Sequence, residues 1–149
     1  MLPSKVRDYA QVLHRLNLSM NCVSKMHTLG YIKNSSNNYP FQKINIGQDN
    51  SKHVLISAGI HGDEPAGIES ICAFLETKKY KSYLNEWDFI ILPCINPYGY
   101  EFNTRENHDN TDLNRMFKVD SPPVEVRLTQ SIFKPSYFNL TLELHEDCD

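Results

Sequence analysis

The chain has 149 residues, 40% of them hydrophobic and 22% charged, and a formal net charge of -3. That length suits one domain with its own core, and the acidic balance argues against nucleic acid or an anionic membrane as the principal partner, since neither would be attracted over the whole surface. No apolar run is long enough to cross a bilayer, and the opening Met-Leu-Pro-Ser-Lys-Val-Arg-Asp lacks the apolar segment of a secretory signal, so a cytoplasmic protein is expected. Cys22, Cys72, Cys94 and Cys148 are scattered without a CxxC pair, which predicts reduced thiols without disulfides or a cysteine metal site.

In chain order, Val6, Tyr9, Ala10, Leu13 and Leu16 make a helical stripe, with Pro3 and Ser4 suited to its start. His14 reads as a surface residue of that helix. Residues 22–32 and 41–46 suit strands, and the polar Asn34-Ser35-Ser36-Asn37-Asn38 between them predicts an antiparallel hairpin. After a loop comes Val54-Leu55-Ile56, the apolar run of a buried strand. It breaks at Gly59-Ile60-His61-Gly62-Asp63-Glu64-Pro65, and Ile68, Ile71, Cys72 and Leu75 then recur at i, i+3, i+4 and i+7, which predicts a helix over 65–76. Pro65 suits a first helical turn and pushes Glu64 out of helical space, so Glu64 belongs at the strand-to-helix corner with its side chain free.

Residues 87–95 read as a second interior strand, stopped by Asn96-Pro97-Tyr98-Gly99, and 100–117 as a long polar surface loop with neither period. Pro122-Pro123 precede a helix with Val124, Leu128 and Ile132 on one side. A last strand over 140–144 delivers His145. No internal repeat or linker divides the chain, so 1–149 is read as one domain.

Open α/β sheets place ligands outside the carboxyl ends of their strands. His61, Glu64 and His145 are all predicted there, and three ligands of these types with a fourth position open are what a catalytic zinc site uses. A His/Glu/His set favours zinc over magnesium or calcium. HxxE alone also fits a solvated turn. Arg105, Asn114 and Arg115 on the polar loop could hold a carboxylate by bidentate hydrogen bonds; the alternative is an ordinary loop whose arginines pair with Glu101, Glu106 or Asp109. His27 and His53 read as satisfied structural residues. His108 could approach a substrate, and Tyr98 and Tyr100 pack over the turn.

Four motifs in order, His61-Gly62-Asp63-Glu64, Asn96-Pro97-Tyr98-Gly99 with Arg105 behind it, Asp112-Leu113-Asn114-Arg115, and Leu142-Glu143-Leu144-His145, resemble those of the M14 zinc carboxypeptidase family, including its aspartoacylase and succinylglutamate desuccinylase branch. The resemblance runs from about residue 54 to the end. With the strand and helix pattern, it implies a three-layer α/β/α fold with a mixed sheet. It implies zinc held by His61, Glu64 and His145, with Asp112 accepting a hydrogen bond from the far nitrogen of His61. Arg105 would polarise the scissile carbonyl and stabilise the oxyanion, and Asn114 and Arg115 would bind the substrate's terminal carboxylate. The zinc would lower the pKa of a water that attacks the amide. The function so implied is a metallocarboxypeptidase removing the last residue of a peptide. The alternatives are a deacylase of N-acyl amino acids and a non-catalytic zinc-binding fragment.

The sequence departs from the family pattern in one respect. The family's general base is a glutamate on a strand well downstream of the last histidine, whereas Asp149 is four residues past His145. In a continuing strand Asp147 would share a face with His145 and Glu146 would point away, which makes neither a good replacement. The expectation is that 1–149 is the N-terminal portion of a longer catalytic domain, inactive alone, with strand edges prone to association.

Overall fold

In the computed structural model, which describes residues 4–47, 49–133 and 137–146, Asp8 sets where the first helix begins. Its side chain accepts a hydrogen bond from the Ala10 amide at 2.9 Å and caps α1 (Tyr9–Ser19). This start is later than the apolar stripe predicts. Val6 stays outside the helix and exposed, and the buried face is Tyr9, Val12 and Leu16, without Ala10. Pro3 lies outside the described residues.

The hairpin forms as expected from β1 (Ser24–Lys33) and β2 (Asn38–Ile46), with Asn34 Oδ1 accepting from the amides of Ser36 and Asn37 in the turn at 2.9 and 2.7 Å. Beyond it, β3 (Lys52–Ala58), β4 (Trp87–Leu92) and β5 (Leu140–Leu144) run parallel, with β3 between the other two. The sheet order is β1-β2-β4-β3-β5, and it is mixed because β2 pairs antiparallel with both β1 and β4. The second interior strand stops short of residue 95 because Pro93 has no N–H to give the ladder. The chain still tracks β3 past that point: the amides of Ile95 and Asn96 donate to the carbonyls of Ala58 and Gly59 at 3.0 and 2.7 Å.

Alternate strand residues face opposite helices. Val54, Ile56, Leu140 and Leu142 look toward Ile71 and Phe74 of α2 (Ala66–Glu76), while Ser57 and Glu143 look toward Thr129 and Phe133. The latter two belong to a further helix, Val124–Phe133. Helices thus cover both faces, which makes the three-layer α/β/α arrangement. On the first face α1 packs on α2, tied by Arg15 to Glu69 and Glu76 at 2.6 and 2.7 Å. The helix over 124–133 is rolled relative to its predicted stripe: Glu125, Val126, Thr129 and Ile132 are buried, whereas Val124 and Leu128 are half-buried. Leu128 rests on Gly30, where an added Cβ would stand 2.9 Å from its Cδ2.

β5 is an edge strand, and Leu140 and Leu142 are 44% and 41% exposed. Cys72 and Cys94 are buried and Cys22 exposed, all three free, and burial pushes the Cys72 thiol up to about 11. Cys148 lies outside the described residues. Among the described residues no helix is long and apolar enough to cross a membrane.

Candidate metal centre

The site is built where β3, β4 and β5 end side by side. After β3 the chain turns at Gly59, whose φ of +64° suits a residue without a Cβ, and reaches His61 and Glu64 before α2 begins. After β4, Asn96 caps a short helix, α3 (Pro97–Phe102), by accepting from the Gly99 amide at 2.9 Å. The sequence reading treats this as a stop signal followed by loop; a helix of six residues is too short for a period, although the Asn-Pro start is itself a helix-start signal. A Cβ on Gly62 would run into the backbone of Gly99 and Tyr100, so the two corners touch where Gly62 has no side chain. β5 then ends next to β3 and supplies His145.

Glu64 lies at the centre. Its Oε1 is 2.7 Å from His61 Nδ1 and its Oε2 2.8 Å from His145 Nδ1; the Glu146 amide donates to Oε2 at 3.2 Å. The Arg105 guanidinium is 3.6 Å from Oε1. The carboxylate is therefore a shared acceptor, not a free side chain at a corner. Burial works to raise its pKa, but the hydrogen bonds from His61, the Glu146 amide and His145 outweigh it and hold the carboxyl below its ordinary value.

Asp112 forms the next layer. Its Oδ1 is 3.3 Å from His61 Nε2 and accepts from the Asn114 amide at 3.0 Å, and its Oδ2 is 3.3 Å from Arg105 Nε. Here too burial opposes ionisation and is outweighed, by the Arg105 charge first and then by the Asn114 amide and His61. The loop arginines do not pair with Glu101, Glu106 or Asp109. Arg105 turns to Asp112 and Glu64, and the Arg115 guanidinium has no ion-pair partner among the described residues. Glu101 is occupied elsewhere, by Lys5 at 2.5 Å, the Tyr39 hydroxyl at 2.7 Å and the Tyr9 amide at 3.1 Å.

A cavity of about 340 Å³ opens beside the triad, with Asn114, Phe117, Thr129, Glu143 and His145 among its walls. His108 stays apart from the triad, its ring 5.9 Å from that of Tyr98 and its Nε2 3.3 Å from Asp109. Tyr100 is buried and Tyr98 half-buried, so both pack as expected. Among the described residues the rings of His27, which is exposed, and His53, which is half-buried, make no hydrogen bond to another protein group. Glu146, discounted as pointing away, is tied down twice: its amide goes to Glu64, and its carboxylate accepts from the Ala66 amide at 3.0 Å. Nothing in the sequence around it signals that role. Asp147 lies outside the described residues.

The donor set fits a metal ion. One ligand atom each from His61, Glu64 and His145 can be chosen so that all lie within 4.8 Å of one another. A neutral imidazole has a single N–H, so His61 cannot donate to Glu64 and Asp112 at once. With a cation taken up at Nδ1, the proton sits on Nε2 and faces Asp112, and both contacts are satisfied.

A model of the succinylglutamate desuccinylase/aspartoacylase catalytic domain matches residues 50–144. The chain belongs to this family. A curated relative, the inactive metallocarboxypeptidase ECM14 of Saccharomyces cerevisiae, is 28% identical in an alignment 83 residues long that covers 46% of this chain and 19% of that protein. Among solved structures, a carboxypeptidase A-type protein of Shewanella denitrificans superposes with a TM-score of 0.82 at 20% identity, over 94% of this chain and 40% of that one. A metallo-carboxypeptidase of Burkholderia cenocepacia does so with a TM-score of 0.79 at 17% identity, over 97% and 42%. The Pseudomonas aeruginosa metallo-carboxypeptidase in complex with (2-guanidinoethylmercapto)succinic acid gives 0.75 at 20%, over 97% and 40%. These likenesses establish the fold of this family member, which spans about two-fifths of the length of the three solved chains.

Proposed function

We propose that the protein is a zinc-dependent hydrolase of an amide next to a free carboxylate, and in the first instance a metallocarboxypeptidase that releases the last residue of a peptide. The observation that carries this is the meeting of His61, Glu64 and His145 at the strand ends, with the Arg105 guanidinium 3.6 Å from the same carboxylate. His61, Glu64 and His145 would hold the zinc, which when bound supplies Lewis acidity for the carbonyl and lowers the pKa of a water. Asp112 keeps the His61 proton on Nε2. Arg105 cannot lose its charge and is aimed at the place where a carbonyl oxygen beside Glu64 gains negative charge. Asn114, on the cavity wall, and Arg115, without an ion-pair partner among the described residues, take the substrate's terminal carboxylate. The succinic-acid ligand of the Pseudomonas enzyme is a dicarboxylate, which supports a carboxylate-bearing substrate.

Among the described residues, Glu64 is engaged by two imidazoles, Asp112 by Arg105 and His61, and Glu146 by the start of α2, while Glu143 stands on the cavity wall beside His145 and Asp63 Oδ1 is buried with no hydrogen-bond partner. Activity is proposed for the whole protein, since the chain spans about two-fifths of the solved carboxypeptidase chains it matches.

The family's own description favours a second reading, deacylation of N-acyl amino acids. The inactive yeast relative favours a third, zinc binding without turnover. The full-length protein, assayed for release of the last residue from a blocked dipeptide and of acid from N-acyl amino acids, separates the three. Activity on the dipeptide is expected. Activity on N-acyl amino acids alone would select the deacylase, and stoichiometric zinc with neither activity would select the third.

A further inference from the structure

The segment that carries Arg105 and Asp112 has no regular structure until the short turn at Leu113–Arg115, yet both side chains must be held against the triad. Asn107, 2% exposed, organises it from within. Its Oδ1 accepts from the amides of Asp109 and Thr111 at 3.0 and 3.1 Å, its own amide donates to the Thr111 carbonyl at 3.1 Å, and its carbonyl accepts from the Asn110 amide at 3.0 Å. Asn110 takes a φ of +54° to close the turn. Residues 107–111 are thus wrapped around one side chain, with Arg105 on one flank and Asp112 on the other. Among the described residues that side chain has one bond outside the wrap, from Nδ2 to Glu125 Oε1 at 3.2 Å.

Glu125 lies on the helix over 124–133, which we number α4, and is 1% exposed. Its second oxygen, Oε2, is buried with no partner. A leucine would fill that core position as well, so burying a carboxylate there is a cost with no return in packing. The contact with Asn107 supplies the return.

We propose that Glu125 and Asn107 are positioning residues: α4 holds the 107–111 turn through this one hydrogen bond, and the turn in turn fixes Arg105 and Asp112 against Glu64 and His61. The proposal rests on the metal-site reading above and assigns to α4, which contributes no ligand, a part in setting the site.

The test reverses the polarity of the bond in the full-length protein. Asn107→Asp keeps the oxygen that accepts from Asp109 and Thr111 but replaces the donor to Glu125 with a second acceptor. It is expected to raise the zinc dissociation constant about tenfold, to lower kcat/KM by a similar factor, and to speed hydrogen exchange at the 109 and 111 amides. Adding Glu125→Gln supplies a donor from the other side and should bring all three back to within about threefold of wild type, as a double-mutant cycle requires of a direct pair. Glu125→Gln alone keeps an acceptor and should resemble wild type. Unfolding midpoints read alongside separate a local effect from a global one. The proposal is overturned if Asn107→Asp leaves exchange and zinc affinity unchanged, or if the double variant is no better than the single. Should the wild-type protein take up no zinc, the metal-site reading fails, and the exchange arm alone decides whether Glu125 anchors the turn.

Discussion

The two ends of the parallel pair β3 and β4 use polar residues differently. At the amino end Lys52 Nζ meets Glu86 at 2.7 Å in the open, and Asp88 accepts from both the amide and the side chain of Asn50 at 3.1 and 2.8 Å. Contacts there lie near the surface, and an exposed ion pair of that kind is worth about 0–1 kcal/mol. At the carboxyl end partners are shared: Glu64 alone serves two imidazoles, one amide and a guanidinium, and Asp112 serves His61, Arg105 and Asn114. Shared and partly buried groups cannot each be satisfied by water, so they hold one another in a fixed geometry that a bound cation would complete. Sharing, and not the number of charges, distinguishes the carboxyl end of this pair from its amino end.

Substitutions at the carboxyl end should break that geometry, and the largest effect is expected from His145→Ala. Zinc binding worth about 10–16 kcal/mol over four ligands makes one ligand worth on the order of 3 kcal/mol, so calorimetry should show affinity reduced by more than about 100-fold. The fold should survive, because the His145 side chain is 36% exposed at the end of an edge strand. Unaltered zinc affinity would remove His145 from the ligand set. Arg105→Ala should lower kcat by about 100-fold, as loss of one oxyanion donor does, with zinc affinity within a few-fold of wild type. Equal losses in zinc affinity and turnover would instead make Arg105 a support of the metal site.

A smaller effect, on stability alone, is expected from Gly62→Ala. The added Cβ would run into the backbone of Gly99 and Tyr100, which cannot retreat without moving α3, and chemical denaturation should show a loss of about 1–3 kcal/mol. Unchanged stability would mean that the two corners are not in contact. The smallest change belongs to the amino end. Lys52→Ala should stay within about 0.5 kcal/mol of wild-type stability and leave zinc uptake and turnover untouched. A loss of turnover there would erase the distinction between the two ends.

How far the fold can be read from the sequence depends on how local each cue is. The helix after the corner, expected over 65–76 and found at Ala66–Glu76, is carried by a stripe and a proline within one short segment. The start of α1 is less legible, since the apolar stripe runs on to Val6 and only the Asp8 side chain shows where the helix is capped. The roll of α4 is less legible still. Its apolar residues suggest 124, 128 and 132, but Glu125 and Thr129 are buried, Glu125 accepting from the Asn107 side chain and the Thr129 hydroxyl donating to the Glu125 carbonyl.

By itself the sequence determined the strand run, the break at His61 and Glu64, and the chemical types of the ligand set, because those depend on short-range periodicity and side-chain chemistry. Only the tertiary structure decided the partners. His145 reaches Glu64 across 81 residues because β5 pairs with β3, and Asp112 reaches His61 across 51 because the 107–111 turn points it there. Neither spacing carries a signal along the chain. Strand order and the anchoring of one loop set both distances, and these come from how the whole chain packs.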